Sequence, residues 1–515
     1  MRKIVIVKVS GITILVASLI GCSSNEQFVS RSESGNKPAA SVAQSQNNQV
    51  ASSPSPPSQL ADYALKKSVD PLPNDMYFKD YGTNQFVSTA KDRLSTFAAD
   101  VDTASYTMMR NFIKDGNLPP AEAIRVEEFI NFFPTPYPAP TNQTFAIQAD
   151  SGPSPFQKNL QVVRIGIKGK ELRAEERKPA NLVFVIDVSG SMNRENRLEL
   201  VKKSLQVLVD QLHPTDSVGI VVYGSEGRVL LPPTSTEDKH AILSAIDELQ
   251  PEGSTNAEEG LILGYEMAAR SFKPNAINRV ILCSDGVANV GETGAEGILR
   301  SIEDYARKDI YLSTFGFGMG NYNDVLMEQL ANKGEGNYAY IDTFSEARRI
   351  FTESLTGTLQ TIARDVKIQV EFDPKKVDSY RLIGYENRDV RDKDFRNDKT
   401  DAGEVGAGHS VTALYEVKLA SPAYADLGTV RVRYHHASSQ KVEEISEPVK
   451  VQNALAPDAT FLAAVAEYGE ILRESPYAER SSLADVLKLA EATATGEEQL
   501  EFVRLVKDSM AISRN

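Results

Sequence analysis

The chain has 515 residues, enough for two to four domains, and its 41% hydrophobic content is an ordinary globular share that can supply sizeable cores. A formal net charge of −14 excludes a general binder of phosphate backbones, which needs a basic surface. It leaves room for acidic protein partners wherever a bound metal reverses the local field.

The first stretch reads as a targeting segment. Arg2, Lys3 and Lys8 accompany an apolar run over 9–20. That run is shorter than the ~20 residues of a membrane span and suits the core of a secretory signal. It ends Leu19-Ile20-Gly21-Cys22, followed by Ser23-Ser24-Asn25. This resembles the lipobox of bacterial lipoproteins. The resemblance implies a signal peptide over 1–22, lipidation of Cys22 as the mature N-terminus, anchorage in a lipid bilayer and, from Ser23, sorting to an outer membrane. Residues 23–74 are rich in Ser, Asn, Gln, Ala and Pro and too poor in apolar side chains to offset ordering. They read as a disordered tether, stiffer through Ser53-Pro54-Ser55-Pro56-Pro57-Ser58. The second cysteine, Cys283, ends the apolar run Arg279-Val280-Ile281-Leu282-Cys283 and is expected to be a buried, inert thiol.

Residues 75–179 read as an N-terminal flanking domain, helical and then β. Asp102 or Thr103 is placed to cap a helix running to Lys114, and 120–133 reads as a second helix. Segments 145–149 and 160–167 alternate with period two, as strands do. Over 180–358 strands alternate with helices. Strands are predicted at 182–186, 217–223, 228–231, 280–284, 310–317 and 338–341, and helices at 197–212, 237–249, 257–271, 294–308, 322–332 and 345–358. The strand at 228–231 precedes Pro232-Pro233, which suits an edge. This alternation predicts an α/β fold with a mostly parallel, doubly wound, Rossmann-like sheet. Ligands of such sheets sit beyond the carboxyl ends of the strands. Over 359–515 the pattern predicts strands at 366–372, 410–419 and 429–434, a long loop at 387–408, and helices at 458–473, 481–491 and 496–510 whose Ala and Leu stripes are packing faces. Strands on both sides of the centre predict that the central domain is inserted into one β unit.

The polar residues at the predicted strand ends carry the chemistry. They are Asp187-Val188-Ser189-Gly190-Ser191, Gly253-Ser254-Thr255-Asn256 and Ser284-Asp285-Gly286. Taken singly, each fits a helix cap or a turn. Together, in this order, they resemble the von Willebrand factor type A (VWA) family and its metal-ion-dependent adhesion site, Asp-x-Ser-x-Ser with a distant Thr and a distant Asp. The resemblance implies that Asp187, Ser189, Ser191, Thr255 and Asp285 hold a divalent cation, Mg²⁺ ahead of Mn²⁺ or Ca²⁺. It also implies that one coordination position is kept for an acidic side chain of a protein partner. The residue types make chemical sense: a hard cation wants oxygen ligands, hydroxyls are neutral donors, and two carboxylates balance the charge. Ser254 departs from the pattern, since many members have a second Gly there. The run from Ser95 to Tyr106 resembles the N-terminal flanking domain of a bacterial lipoprotein subfamily, and the C-terminal half resembles the domain that follows it there. Asp100 and Asp102 within that run are read as cap residues rather than a second metal site.

Catalytic patterns are sparse. None of the five histidines sits in H-E-x-x-H, and His435 and His436, adjacent in a strand, point to opposite faces. There is no G-x-S-x-G elbow and no phosphate-binding P-loop. Gly316-Phe317-Gly318-Met319-Gly320 has Asn321 where a dinucleotide fingerprint needs its last Gly, so it reads as a tight turn. The expectation is a non-enzymatic, lipid-anchored envelope protein that binds a protein partner through a metal and takes neither nucleic acid nor nucleotide. A scaffold whose metal only stiffens loops is the alternative, and a hydrolase with an unrecognised site is a third.

Overall fold

The computed structural model describes residues 76–286, 294–319, 322–421, 424–439 and 441–514. The signal, Cys22 and the tether lie outside the described residues.

Two short strands, β1 (Val87–Ser88) and β2 (Leu94–Ala98), open the described chain, followed by helices Ala104–Lys114 and Val126–Phe132. Neither strand is expected from sequence, because each is short and pairs with a segment far along the chain: β1 with β12 (Val377–Ile383) and β2 with β11 (Thr361–Phe372). Thr103 takes the N-cap position of the first helix without a side-chain cap. Glu128 instead accepts the backbone N–H of Ser105 at 2.7 Å. The hairpin β3 (Phe145–Pro153) and β4 (Leu160–Gly169) then leads into the central domain.

That domain holds a six-stranded sheet: β5 (Ala180–Asp187), β6 (Ser217–Tyr223), β7 (Gly227–Ser235), β8 (Ile277–Ser284), β9 (Ile310–Phe317) and β10 (Tyr338–Ile341), ordered β10-β9-β8-β5-β6-β7. All pairings are parallel except that of edge strand β7, which runs through Pro232 and Pro233. Every residue of β5, β6 and β8 is buried, because helices cover both faces and leave no wet side to alternate with. Leu182, Phe184 and Ile186 join one core with helix Arg197–Gln211, while Val183 and Val185 join another with helix Ala257–Arg270. The last helix, expected as continuous over 345–358, is broken. Phe344–Arg348 and Leu355–Leu359 flank a π turn at Arg349–Glu353, where Ser354 N–H bonds back to the Arg349 carbonyl at 3.0 Å.

The flanks form one unit, as the sequence pattern predicts. A ten-stranded sheet joins β1–β4 to β11, β12, β13 (Gly403–Gly406), β14 (Ser410–Leu419), β15 (Asp426–His436) and β16 (Val442–Val451). Its long junction is the antiparallel pair β14–β4, in register from Ser410↔Lys168 to Lys418↔Leu160. The sheet curls over on itself, so Phe372 of β11 stacks on Tyr380 of β12 at 4.6 Å. Strand β13 and a 3₁₀ turn at Asp392–Asp394 lie within the predicted loop 387–408, and a second 3₁₀ turn, Glu386–Arg388, straddles its start. Helices Pro457–Leu472, Leu483–Thr493 and Glu497–Ile512 close the chain. Their Phe461, Val465, Val486, Phe502 and Leu505 pack with Phe129 and Phe133, as packing faces should.

Candidate metal centre

Strand β5 lies between β6 and β8, and the strand order reverses there, running to β6 and β7 on one side and to β8, β9 and β10 on the other. Such a switch opens a crevice at the carboxyl ends of the strands. Asp187 ends β5, and Asp285 directly follows β8. The five residues singled out from sequence therefore come from three loops on one edge.

Four of them are joined by hydrogen bonds. Asp187 Oδ1 accepts the backbone N–H of Ser189 at 2.8 Å, and its Oδ2 accepts the Ser284 hydroxyl at 2.9 Å. Ser189 Oγ and Ser191 Oγ lie 2.9 Å apart, and Ser191 Oγ donates to Asp285 Oδ1 at 3.1 Å. Thr255 sits one residue before the N-cap of helix Ala257–Arg270. Its loop is tied to the first by the backbone, with Gly190 N–H donating to the Gly253 carbonyl at 3.2 Å. The Thr255 side chain makes no hydrogen bond to the other four. Ser254, the departure from the family pattern, anchors this loop on Ser225 Oγ at 3.1 Å.

Two further residues belong to the site. Ser284, which the sequence places at its strand end but not among the expected ligands, donates its hydroxyl to Asp187. Arg197, the first residue of helix Arg197–Gln211, pairs with Asp285 Oδ2 at 2.8 Å and also donates to the Met319 carbonyl. Gly318, at φ +77°, makes this reach possible: a Cβ there would collide with the Arg197 side chain. Gly320 and Asn321 of the glycine-rich string lie outside the described residues, but the arginine that passes Gly318 explains why that position needs glycine.

The electrostatics fit a hard cation. Asp187 is fully buried and Asp285 is 5% exposed, so two acids share a low-dielectric crevice with one guanidinium, which pairs with Asp285. Asp187 has only hydroxyl and N–H donors among the described residues. Burial first, and then the negative charge of Asp285, push Asp187 up to about 6. A divalent ion would remove that frustration, and the oxygens it needs are already convergent.

Other candidates do different work. His435 faces Asp365 and Asp398, whereas His436 faces Glu443 and Thr144, so the two imidazoles do not converge. Asp100 and Asp102 do not cap the helix. Both pair with Arg388, at 3.3 and 3.1 Å, which corrects the cap reading. The cause is an arginine from the distant segment 387–408. Among the described residues, one trio of carboxylates, Glu335, Asp401 and Glu404, comes within metal-ligand reach. Glu335 precedes β10 and so lies at the opposite end of the sheet. Cys283 is fully buried, and burial holds its thiol far above the ordinary range.

Comparison with known proteins adds three sequence-family matches. A model described as von Willebrand factor type A domain covers residues 181–353, one described as von Willebrand factor covers 72–164, and one described as Uncharacterized protein YfbK, C-terminal, covers 357–512. The Escherichia coli Uncharacterized protein YfbK is 37% identical over 467 residues, covering 84% of this chain and 81% of its own length. Uncharacterized protein sll0103 of Synechocystis sp. is 26% identical over 321 residues, covering 60% of this chain and 74% of its own length. Human inter-alpha-trypsin inhibitor heavy chain H2 is 28% identical over 196 residues, which is 36% of this chain and 20% of the human protein.

Proposed function

The chain belongs to the family of bacterial VWA-domain proteins that carry a further C-terminal domain; from that premise we propose that it is a non-enzymatic envelope protein that holds a divalent cation and engages a protein partner through it. A VWA domain points to protein–protein interaction or adhesion. The observation that carries the finer reading is the convergence of two buried carboxylates and two serine hydroxyls at the carboxyl ends of β5 and β8.

Asp187, Ser189, Ser191, Thr255 and Asp285 would hold the ion, with Mg²⁺ preferred and Mn²⁺ or Ca²⁺ as alternatives. When bound, it supplies an electrophilic position for a carboxylate oxygen of the partner. Arg197 offsets one acid, which leaves the oxygen cluster short of a full pair of positive charges. The same pair argues against a metal that merely stiffens loops, because Arg197 already fastens the Asp285 loop without one. Envelope anchorage, in an outer membrane, rests on the resemblance of Leu19-Ile20-Gly21-Cys22 and the following Ser23 to a lipobox.

The test is calorimetric titration of Mg²⁺, Mn²⁺ and Ca²⁺ into the metal-stripped chain and its Asp187→Ala and Asp285→Ala variants, followed by partner capture with and without chelator. One-site binding lost in both folded variants, with capture abolished by chelator, supports the reading. Capture that survives Asp187→Ala while stability falls would make the metal a structural element instead.

A further inference from the structure

A cavity of about 190 Å³ lies where the central domain meets the flanking unit, far larger than the roughly 10–15 Å³ one water requires. Its wall draws Lys168 from β4, Asn131 from the helix before the β3–β4 hairpin, Arg349 and Ser354 from the π-turn region, and His409 and Ser410 from the start of β14. Among the described residues no aspartate or glutamate lines it, in a chain with 70 acidic residues and a net charge of −14.

The basic groups are poised rather than spent. Lys168 Nζ donates to the Gly408 carbonyl at 2.6 Å and reaches Glu171 at 3.3 Å, but Glu171 is 64% exposed and its charge is largely screened. Arg349 lies over the Phe132 ring at 4.6 Å; its Nε and Nη2 donate to Glu346, an acid it shares with Arg110, and its Nη2 also to Thr103 Oγ1 at 3.3 Å, so Nη1 is the nitrogen it has to offer a ligand. The third group, His409, is held against Gly357, and its buried Nδ1 has no hydrogen-bond partner. Burial first, then the positive charges of Lys168, Arg349 and Arg279, push His409 down to about 4, so its ring is neutral at pH 7.

We propose that this cavity is a binding site for a small oxyanion, a carboxylate or phosphate group on a small polar molecule, held by Lys168, Arg349 and the Nδ1 of His409 with Asn131 and Ser410 beside them. Hydrogen bonds between cationic donors and such oxygens are the strong, directional kind. Because its donors come from both the central domain and the flanking unit, the ligand would brace one against the other. The site is independent of the candidate metal centre and of the reading built on that centre.

The experiment follows the imidazole nitrogens of the full chain by NMR, with His409 assigned from a His409→Gln variant. Inorganic phosphate and succinate are titrated separately. A saturable shift confined to His409, weakened roughly tenfold or more in Lys168→Gln and unchanged in Lys170→Gln, supports the site. A response to phosphate alone assigns a phosphate group, and a response to succinate alone a carboxylate. A folded chain whose His409 ignores both probes overturns the proposal, as does a response that survives intact in Lys168→Gln.

Discussion

The molecule holds two buried aspartate pairs that look alike as sequence, Asp100-Val101-Asp102-Thr103 and Asp187-Val188-Ser189-Gly190, the second completed by Asp285. Their surroundings differ. Around Asp100 and Asp102 a single guanidinium, Arg388, reaches both acids and Glu328 as well, at 3.1–3.3 Å. Around Asp187 and Asp285, Arg197 reaches one acid, and the Ser284 and Ser191 hydroxyls and the Ser189 backbone N–H supply the other contacts. The first pair is locked by a cation that cannot leave. The second is left with neutral donors and an unmatched charge, the arrangement on which the proposed cation site rests. An acidic motif is therefore told apart less by its own residues than by the arginine the fold brings to it.

This contrast can be broken most sharply at the locked pair. Arg388→Met strands three buried acids, and the expected loss is about 3–5 kcal/mol in urea unfolding, with metal binding unaffected in whatever fraction folds. A loss under about 1 kcal/mol would mean that Arg388 does not lock the pair.

The next effect falls at the open pair. Asp187→Asn is expected to abolish the metal-induced rise in melting temperature while raising the melting temperature of the metal-free chain. The folded value of Asp187, about 6, lies above the roughly 3.9 of an unfolded Asp. Its stabilising contribution is therefore complete below about pH 4 and lost as pH rises through 6, a step of up to about 3 kcal/mol. Metal-free melting curves from pH 4 to 8 should show that step in the natural chain and not in Asp187→Asn.

Smaller effects sharpen the comparison. Arg197→Gln removes the resident counter-charge from Asp285, so cation affinity should rise severalfold as metal-free stability falls; a drop in affinity would recast Arg197 as an orienting group. Smallest of all, Cys283 on β8 should resist thiol reagents equally with and without metal, because strand closure does not depend on the ion. Labelling that follows metal removal would show the opposite.

Much of this was legible in the sequence where burial is two-sided. Strands 217–223, 310–317 and 338–341 match β6, β9 and β10 at both ends, because doubly covered strands read as unbroken apolar runs. Two residues of the candidate centre were legible for the same reason, since Asp187 ends such a run and Asp285 follows one, whereas Thr255 lies between two helices. What stayed hidden depends on distant partners. β2 is defined by β11, β16 carries Glu443, Glu444 and Glu447 among its apolar positions, and the meaning of Asp100 and Asp102 waits on Arg388. Arg197 left only an indirect trace, the glycine at 318 that makes way for it.

The insertion of the central domain also sets an order of events. Strand β4 must find β14 across a separation such as the 240 residues between Lys168 and Gly408. A disordered loop of that length adds to the entropy of closure. In the native fold, however, Lys178 and Gln360 touch, the backbone N–H of the first meeting Oε1 of the second at 2.8 Å. Once the central domain has folded, it acts as a clasp that removes the stretch between Lys178 and Gln360 from the effective loop, so that only the short link from β4 to Lys178 and the segment from Gln360 to β14 remain to be closed. Along a chain made from its amino end, β1–β4 would wait unpaired with their late partners until the clasp closes, and a slow step inside the central domain would hold the whole flanking sheet in kinetic arrest.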